Sequence, residues 1–110
     1  MITEKKCKVV AYFSIVPVGQ ESTSMGSYVA AAIAAMNGIE GLICEVTPMG
    51  TVMEADSLEV IFEAVKAAHE AIAEKGILRV ESTLLIDDRM DKLRTMKDKV
   101  DAVKKYMKQV

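Results

Sequence analysis

An α+β fold built on one antiparallel sheet is predicted by three observations. Two short apolar runs, Leu42 to Val46 and Val52 to Ala55, are joined by the polar knot Thr47-Pro48-Met49-Gly50-Thr51. Proline fixes φ and glycine permits positive φ, so the knot reads as a tight turn between adjacent strands. Segments with apolar residues at helical spacing lie on either side of this hairpin. A β-rich run opens the chain and another follows the second helical segment, giving the order β-α-β-β-α-β with one further helix at the end.

Cys7 to Val16 is rich in β-branched and aromatic residues and stops at Pro17-Val18-Gly19, which makes it a strand. Alternation puts Val9, Ala11, Phe13 and Ile15 on one face, and Lys8, Val10, Tyr12, Ser14 and Val16 on the other. Ser22, Thr23 and Ser24 offer N-caps to a helix in which Met25, Val29, Ala32, Ile33 and Met36 recur at helical spacing. Its many alanines let it pack closely on a sheet, and Gly38 is expected to close it in the left-handed conformation. Leu42 to Val46 and about Thr51 to Ala55 form strands two and three. Asp56 and Glu59 read as the capping box of a second helix, with Leu58, Ile61, Phe62, Val65, Ala68 and Ile72 as its buried stripe and Gly76 at its end. Leu78 to Ile86 is the fourth strand. Thr95 with Asp98 caps a last helix whose narrow stripe is Met96, Val100, Val103 and Met107, surrounded by lysines.

This order matches the ferredoxin-like βαββαβ pattern, with an added C-terminal helix. Right-handed crossovers make strands one and three central, with both main helices on one sheet face. The opposite face carries apolar residues that a lone subunit leaves bare, so it is expected to pack against another subunit. Cys7 and Cys44, on strands separated by a third, are expected to lie too far apart to bridge.

The 110 residues suit a single domain spanning 1–110. A net charge of −2, with no cationic stripe before the last helix, argues against nucleic acid as a partner. Two cysteines without a CxxC pair and one histidine do not make a zinc site. No apolar stretch approaches the ~20 residues that span a bilayer, and no signal-peptide pattern opens the chain. A cytoplasmic protein with reduced thiols and no membrane partner is expected.

Few residues invite chemistry. His69 lies at the edge of a helical stripe, where a hydrogen-bonded helix or interface residue is the commoner reading, and no triad surrounds it. Glu45, Glu54, Glu81, Asp87 and Asp88 lie on or beside strands and read as solvated edges or caps. Glu81 stands out, because pairing of the first and last strands brings it with Thr83, Tyr12 and Ser14 onto the face away from the helices. Such a cluster needs partners from a second subunit or a ligand. No phosphate-binding glycine motif is present. Met49, at a turn, is oddly placed for packing alone.

Phe13-Ser14-Ile15-Val16-Pro17-Val18-Gly19, Glu45 to Thr51, Asp87-Asp88-Arg89 with Asp91-Lys92, and Thr95 to Val100 together resemble the small thiamine-binding protein family. The likeness extends over nearly the whole chain past Lys8, and Thr-Pro-Met-Gly-Thr is its most specific part. It implies a ferredoxin-like fold, homodimers built through the sheet and often homotetramers. It also implies binding of thiamine or its hydroxymethylpyrimidine portion rather than catalysis, with no cofactor and no metal. In such a site Ser14, Thr47 and Thr51 would supply hydroxyls, Glu45, Glu54 or Glu81 a carboxylate for the thiazolium, and Tyr12 or Met49 a surface for the ring, with Gly50 in the turn. Two alternatives remain: a structural or regulatory homo-oligomeric module without a small ligand, and a dimeric ferredoxin-like enzyme that works without a cofactor.

Overall fold

A computed structural model describes residues 8–21 and 23–108. The elements run β1 (Val9–Val18), α1 (Gly26–Asn37), β2 (Leu42–Thr47), β3 (Gly50–Ala55), α2 (Leu58–Ala73), β4 (Arg79–Asp88) and α3 (Met96–Met107). The four strands form one antiparallel sheet in the order β2-β3-β1-β4, the ferredoxin-like arrangement expected. Expectations that concern Cys7 and Ser22 lie outside the described residues.

Strand β1 organises the core. Val9, Ala11, Phe13 and Ile15 are buried under α1 and α2, while Val10, Tyr12, Ser14 and Val16 are half-buried on the other face. Ala32 and Met36 of α1, Met53 and Ala55 of β3, and Ile61, Ala64, Ala68 and Ile72 of α2 complete the core. The alanines of both helices let their backbones approach the sheet and each other. Helix α2 buries less of its stripe than expected. Phe62 is 54% exposed, and the small Ala64 and Ala68 take the inward positions.

Local signals were redistributed. Helix α1 starts at Met25 without a side-chain cap, so neither Thr23 nor Ser24 caps it. Gly38 is right-handed (φ −88°), and the left-handed residue of this connection is Gly41 (φ +83°). At α2, Ser57 rather than Asp56 caps the helix, its hydroxyl accepting from the Val60 N–H at 3.3 Å. Asp56 instead forms an ion pair with Lys8. The Thr95–Asp98 capping box at α3 forms as expected, and the bonds from Thr95 hold the Asp98 carboxyl below its ordinary range.

The β2–β3 hairpin pairs Thr47 with Gly50 across the two-residue loop Pro48-Met49. Two-residue hairpins favour positive φ at the loop residues, yet neither Pro48 nor Met49 has it, and neither does Gly50. The Thr47 hydroxyl closes the loop instead, donating to the Gly50 carbonyl at 2.7 Å and accepting from the Met49 N–H at 3.4 Å. Glycine is required at position 50 for space. A Cβ there would lie 2.6 Å from the Tyr12 ring and 2.9 Å from the Phe13 carbonyl oxygen.

The face away from α1 and α2 is partly covered at one end. Glu54, 8% exposed, accepts from the Met96 N–H at 2.8 Å, and Lys99 pairs with Asp87. These bonds pin the first turn of α3 over β3, β1 and β4. The rest of α3 buries no residue, and Val100, Val103 and Met107 are all more than half exposed.

The crowding at Gly50 generates a prediction. Gly50→Ala is expected to destabilise the protein by about 1–3 kcal/mol, read as a lowered midpoint in urea denaturation, because backbone and a packed ring must both move.

Candidate functional site

A cavity of about 180 Å³ opens where the sheet is incomplete. Strand β1 is paired with β3 only as far as Phe13↔Thr51, but continues to Val18 against β4. The Thr47–Thr51 turn thus stops short of the projecting half of β1, and α1 roofs the gap. Met25, Val29, Ile33 and Met36 form the helical wall, Phe13 and Ile15 the floor, and Val46 through Thr51 the opposite wall. No lining residue carries a charge.

Thr51 is the polar centre of this cavity. It is 4% exposed, shares the helix-side face with its partner Phe13, and its hydroxyl makes no hydrogen bond among the described residues. Its oxygen is open to the cavity rather than sealed in the core, so a group that enters can take up its free hydrogen-bonding capacity. Thr47 lies on the same wall, with its hydroxyl engaged in the turn. Met49 is 79% exposed at the rim. Ser14 borders the cavity at the strand edge, while alternation turns its side chain to the open face beside Thr83.

Five of the residues singled out from the sequence therefore border one cavity: Ser14, Thr47, Met49, Gly50 and Thr51. Tyr12 supports it from behind. Its ring lies under Gly50 and its hydroxyl donates to the Met49 carbonyl at 2.6 Å, tying the cavity wall to the opposite sheet face. The three carboxylates are not brought there. Glu45 is exposed on the open face, Glu54 is occupied at the start of α3, and Glu81 pairs with Arg79 at 3.2 Å. Glu81, Thr83 and Ser14 do share a shallow open-face groove with Val16 and Ser82. Sequence reasoning missed the contribution of α1, because a Met25-Val29-Ile33-Met36 stripe looks the same whether it covers core or cavity.

Other groups are committed elsewhere. His69 Nε2 lies 2.7 Å from the Ser82 hydroxyl, tying α2 to the edge strand, and His69 lines neither cavity. Burial pushes the Cys44 thiol above its ordinary range, which lowers its thiolate fraction. Among the described residues, no three His, Cys, Asp or Glu side chains cluster as metal ligands, and no helix is long and apolar enough to cross a membrane.

The sequence profile of the family described as "Thiamine-binding protein" matches residues 11–104. The chain belongs to the thiamine-binding protein family. A UPF0045 protein of Methanothermobacter thermautotrophicus is 47% identical over 96 residues, covering 87% of this chain and 96% of that protein. The UPF0045 protein YqgV of Bacillus subtilis is 38% identical over 101 residues, covering 89% and 96%. Among solved structures, a Methanocaldococcus jannaschii protein superposes with a TM-score of 0.80 at 39% identity, covering 88% of this chain and 96% of its own. A Thermotoga maritima protein, provisionally described as acting in thiamine biosynthesis or salvage, gives a TM-score of 0.71 at 26% identity, covering 87% and 98%.

The Tyr12 contact is testable by itself. Tyr12→Phe is expected to cost about 1 kcal/mol and to accelerate amide hydrogen exchange at Met49 and Thr51, with little change at Ala32 and Met36.

Proposed function

We propose that this protein is a non-catalytic binding protein for thiamine or its hydroxymethylpyrimidine portion, held in the cavity between α1 and the Thr47–Thr51 turn. Family membership supplies the ligand class, and the Thr51 hydroxyl, open to an uncharged cavity and not engaged within the chain, supports the placement. An apolar cavity with a few convergent polar groups is the usual form of a small-molecule site. Thioethers of Met25, Met36 and Met49 offer polarizable surfaces for a flat ring. Binding rather than turnover is supported by the lining, which offers hydroxyls, thioethers and hydrocarbon but no side chain that titrates near neutral pH.

The chain acts as a homo-oligomer in this reading, with the site close to a subunit interface. The open face exposes Ile43 (57%) and Leu85 (68%) beside the half-buried Val10, Tyr12 and Val52, and α3 adds its uncovered stripe. Apolar surface on this scale is a usual mark of a protein interface. Tyr12 stands on that face with its hydroxyl on the cavity wall, so a second copy packed there lies one side chain from the site. Sedimentation at micromolar concentration is expected to show a dimer or tetramer, and a monomer would remove this part of the proposal.

Calorimetric titration with thiamine and with hydroxymethylpyrimidine tests the ligand. Heat of binding is expected for both, and silence at millimolar ligand from folded protein would refute the assignment. Thr51→Val is expected to weaken binding about 10- to 100-fold. Its thermal midpoint should change little, since the hydroxyl replaced by a methyl makes no hydrogen bond within the chain.

A further inference from the structure

The two edges of the sheet are unequal. Strand β2 offers six residues at one edge, while β4 offers ten at the other, none of them proline. In an antiparallel ladder, alternate residues turn both their N–H and their C=O toward the same neighbouring strand. The Phe13 carbonyl points to the β3 side, since it would lie 2.9 Å from a Cβ on Gly50. Ser14 therefore points to β4, and its register partner Thr83 points back. Val80, Ser82, Leu84 and Ile86 turn their main chain outward, where no strand, turn or loop hydrogen bond meets it among the described residues. A long unpaired edge is a template for another strand. Helix α3 marks the same edge. It passes from β3, where the Met96 N–H meets Glu54, to β4, where Lys99 meets Asp87. Beyond Lys99 it runs on to Met107, roughly 12 Å at 1.5 Å per residue, with no further strand beneath it. Its apolar residues there, Val100, Val103 and Met107, are more than half exposed.

We propose that the outer edge of β4 pairs antiparallel with β4 of a second copy, about a two-fold axis at Thr83, joining two sheets into one. This surface is separate from the open face described above and owes nothing to the ligand. The edge is complementary to itself, because Arg79 and Asp87 stand at equal distances on either side of Thr83. Centred there, the ladder runs from Arg79 to Asp87 and sets Arg79 opposite the partner's Asp87 at both ends. Those pairs fall on the rows without hydrogen bonds, where facing side chains come closest. Ser82 exchanges main-chain bonds with the partner's Leu84, and Val80 with the partner's Ile86. Centred on Leu84, the pairing would face Glu81 with the partner's Asp87, two like charges. Centred on Ser82, it would be shorter and would face Arg79 with the partner's Leu85. The overhang of α3 starts beside Asp87, so it reaches the other sheet at the partner's Arg79. The β1 neighbour of that arginine is the partner's Val18, half-buried on the open face. The apolar stripe of α3 then meets apolar surface in place of water.

The experiment uses the full chain at micromolar concentration, with Cys7→Ser and Cys44→Ser as the background for single new cysteines. Facing residues on a row without hydrogen bonds have Cα atoms ~4.5 Å apart, within reach of a disulfide. Thr83→Cys is therefore expected to cross-link to a second copy under mild oxidation about tenfold faster than Glu63→Cys on the exposed side of α2, because pairing raises the effective thiol concentration. Leu85→Cys, displaced from the axis, should cross-link to itself no faster than that control. In the unmodified chain, the amides of Ser82, Leu84 and Ile86 should exchange as slowly as that of Ala11 in the core. Packing through the open face alone leaves those edge amides in water. Fast exchange at Leu84, or cross-linking at Thr83 no faster than at Glu63, overturns the inference and leaves assembly through the open face standing.

Discussion

The close approach of Tyr12 to Gly50 is the contact on which the remainder of this molecule depends. It requires a glycine at the start of β3, because any side chain would strike an aromatic ring and a backbone carbonyl. It sets the hairpin tightly against the central strand and ends the β1–β3 ladder at Phe13. The tyrosine hydroxyl then anchors the Met49 carbonyl, so the turn is fixed from below as well as by the Thr47 hydroxyl. A hairpin without the mirror-image loop geometry that suits strand twist is held by hydrogen bonds from two side chains, Tyr12 and Thr47. The cavity exists because this turn is short and held in place while β1 runs on.

Much of the fold was legible because one strong pattern recurs. The period-two alternation of Val9, Ala11, Phe13 and Ile15, and the hairpin at Pro48, determine the sheet order once crossovers are right-handed. Caps were less legible. Asp56 and Ser57 are both competent at an N-cap, and the choice fell to Ser57 because Lys8, 48 residues earlier, claims the aspartate. Helical spacing of apolar residues places Phe62 in the buried stripe of α2. Close helix packing instead rewards the small Ala64 and Ala68, and the larger ring points outward.

The candidate site was legible in its turn and not in its depth. The resemblance points to Thr47, Met49 and Thr51, with Gly50 in the turn, and these residues wall one cavity. Alternation places Glu81 on the face away from the helices, where the structure has it, while Glu45 and Glu54, offered with it as ligand carboxylates, also lie outside the cavity. What sequence spacing cannot express is that β1 outruns β3, since strand lengths are set by where a turn can close. The cavity beside β1, with Met25 to Met36 as its helical wall, lies where the β1–β3 ladder ends at Phe13.

Helix α3 is the element with the least buried surface, yet its first turn is bound into the sheet. Glu54 sits in the sheet at 8% exposure and spends its carboxylate on the Met96 N–H. A buried carboxylate that loses its donor keeps its desolvation cost. Trimming the chain before Met96, a natural choice for anyone seeking a minimal domain, would therefore leave a charge stranded beneath the surface. The C-terminal helix is in that sense a plug for the sheet, and the smallest sound unit of this protein includes it.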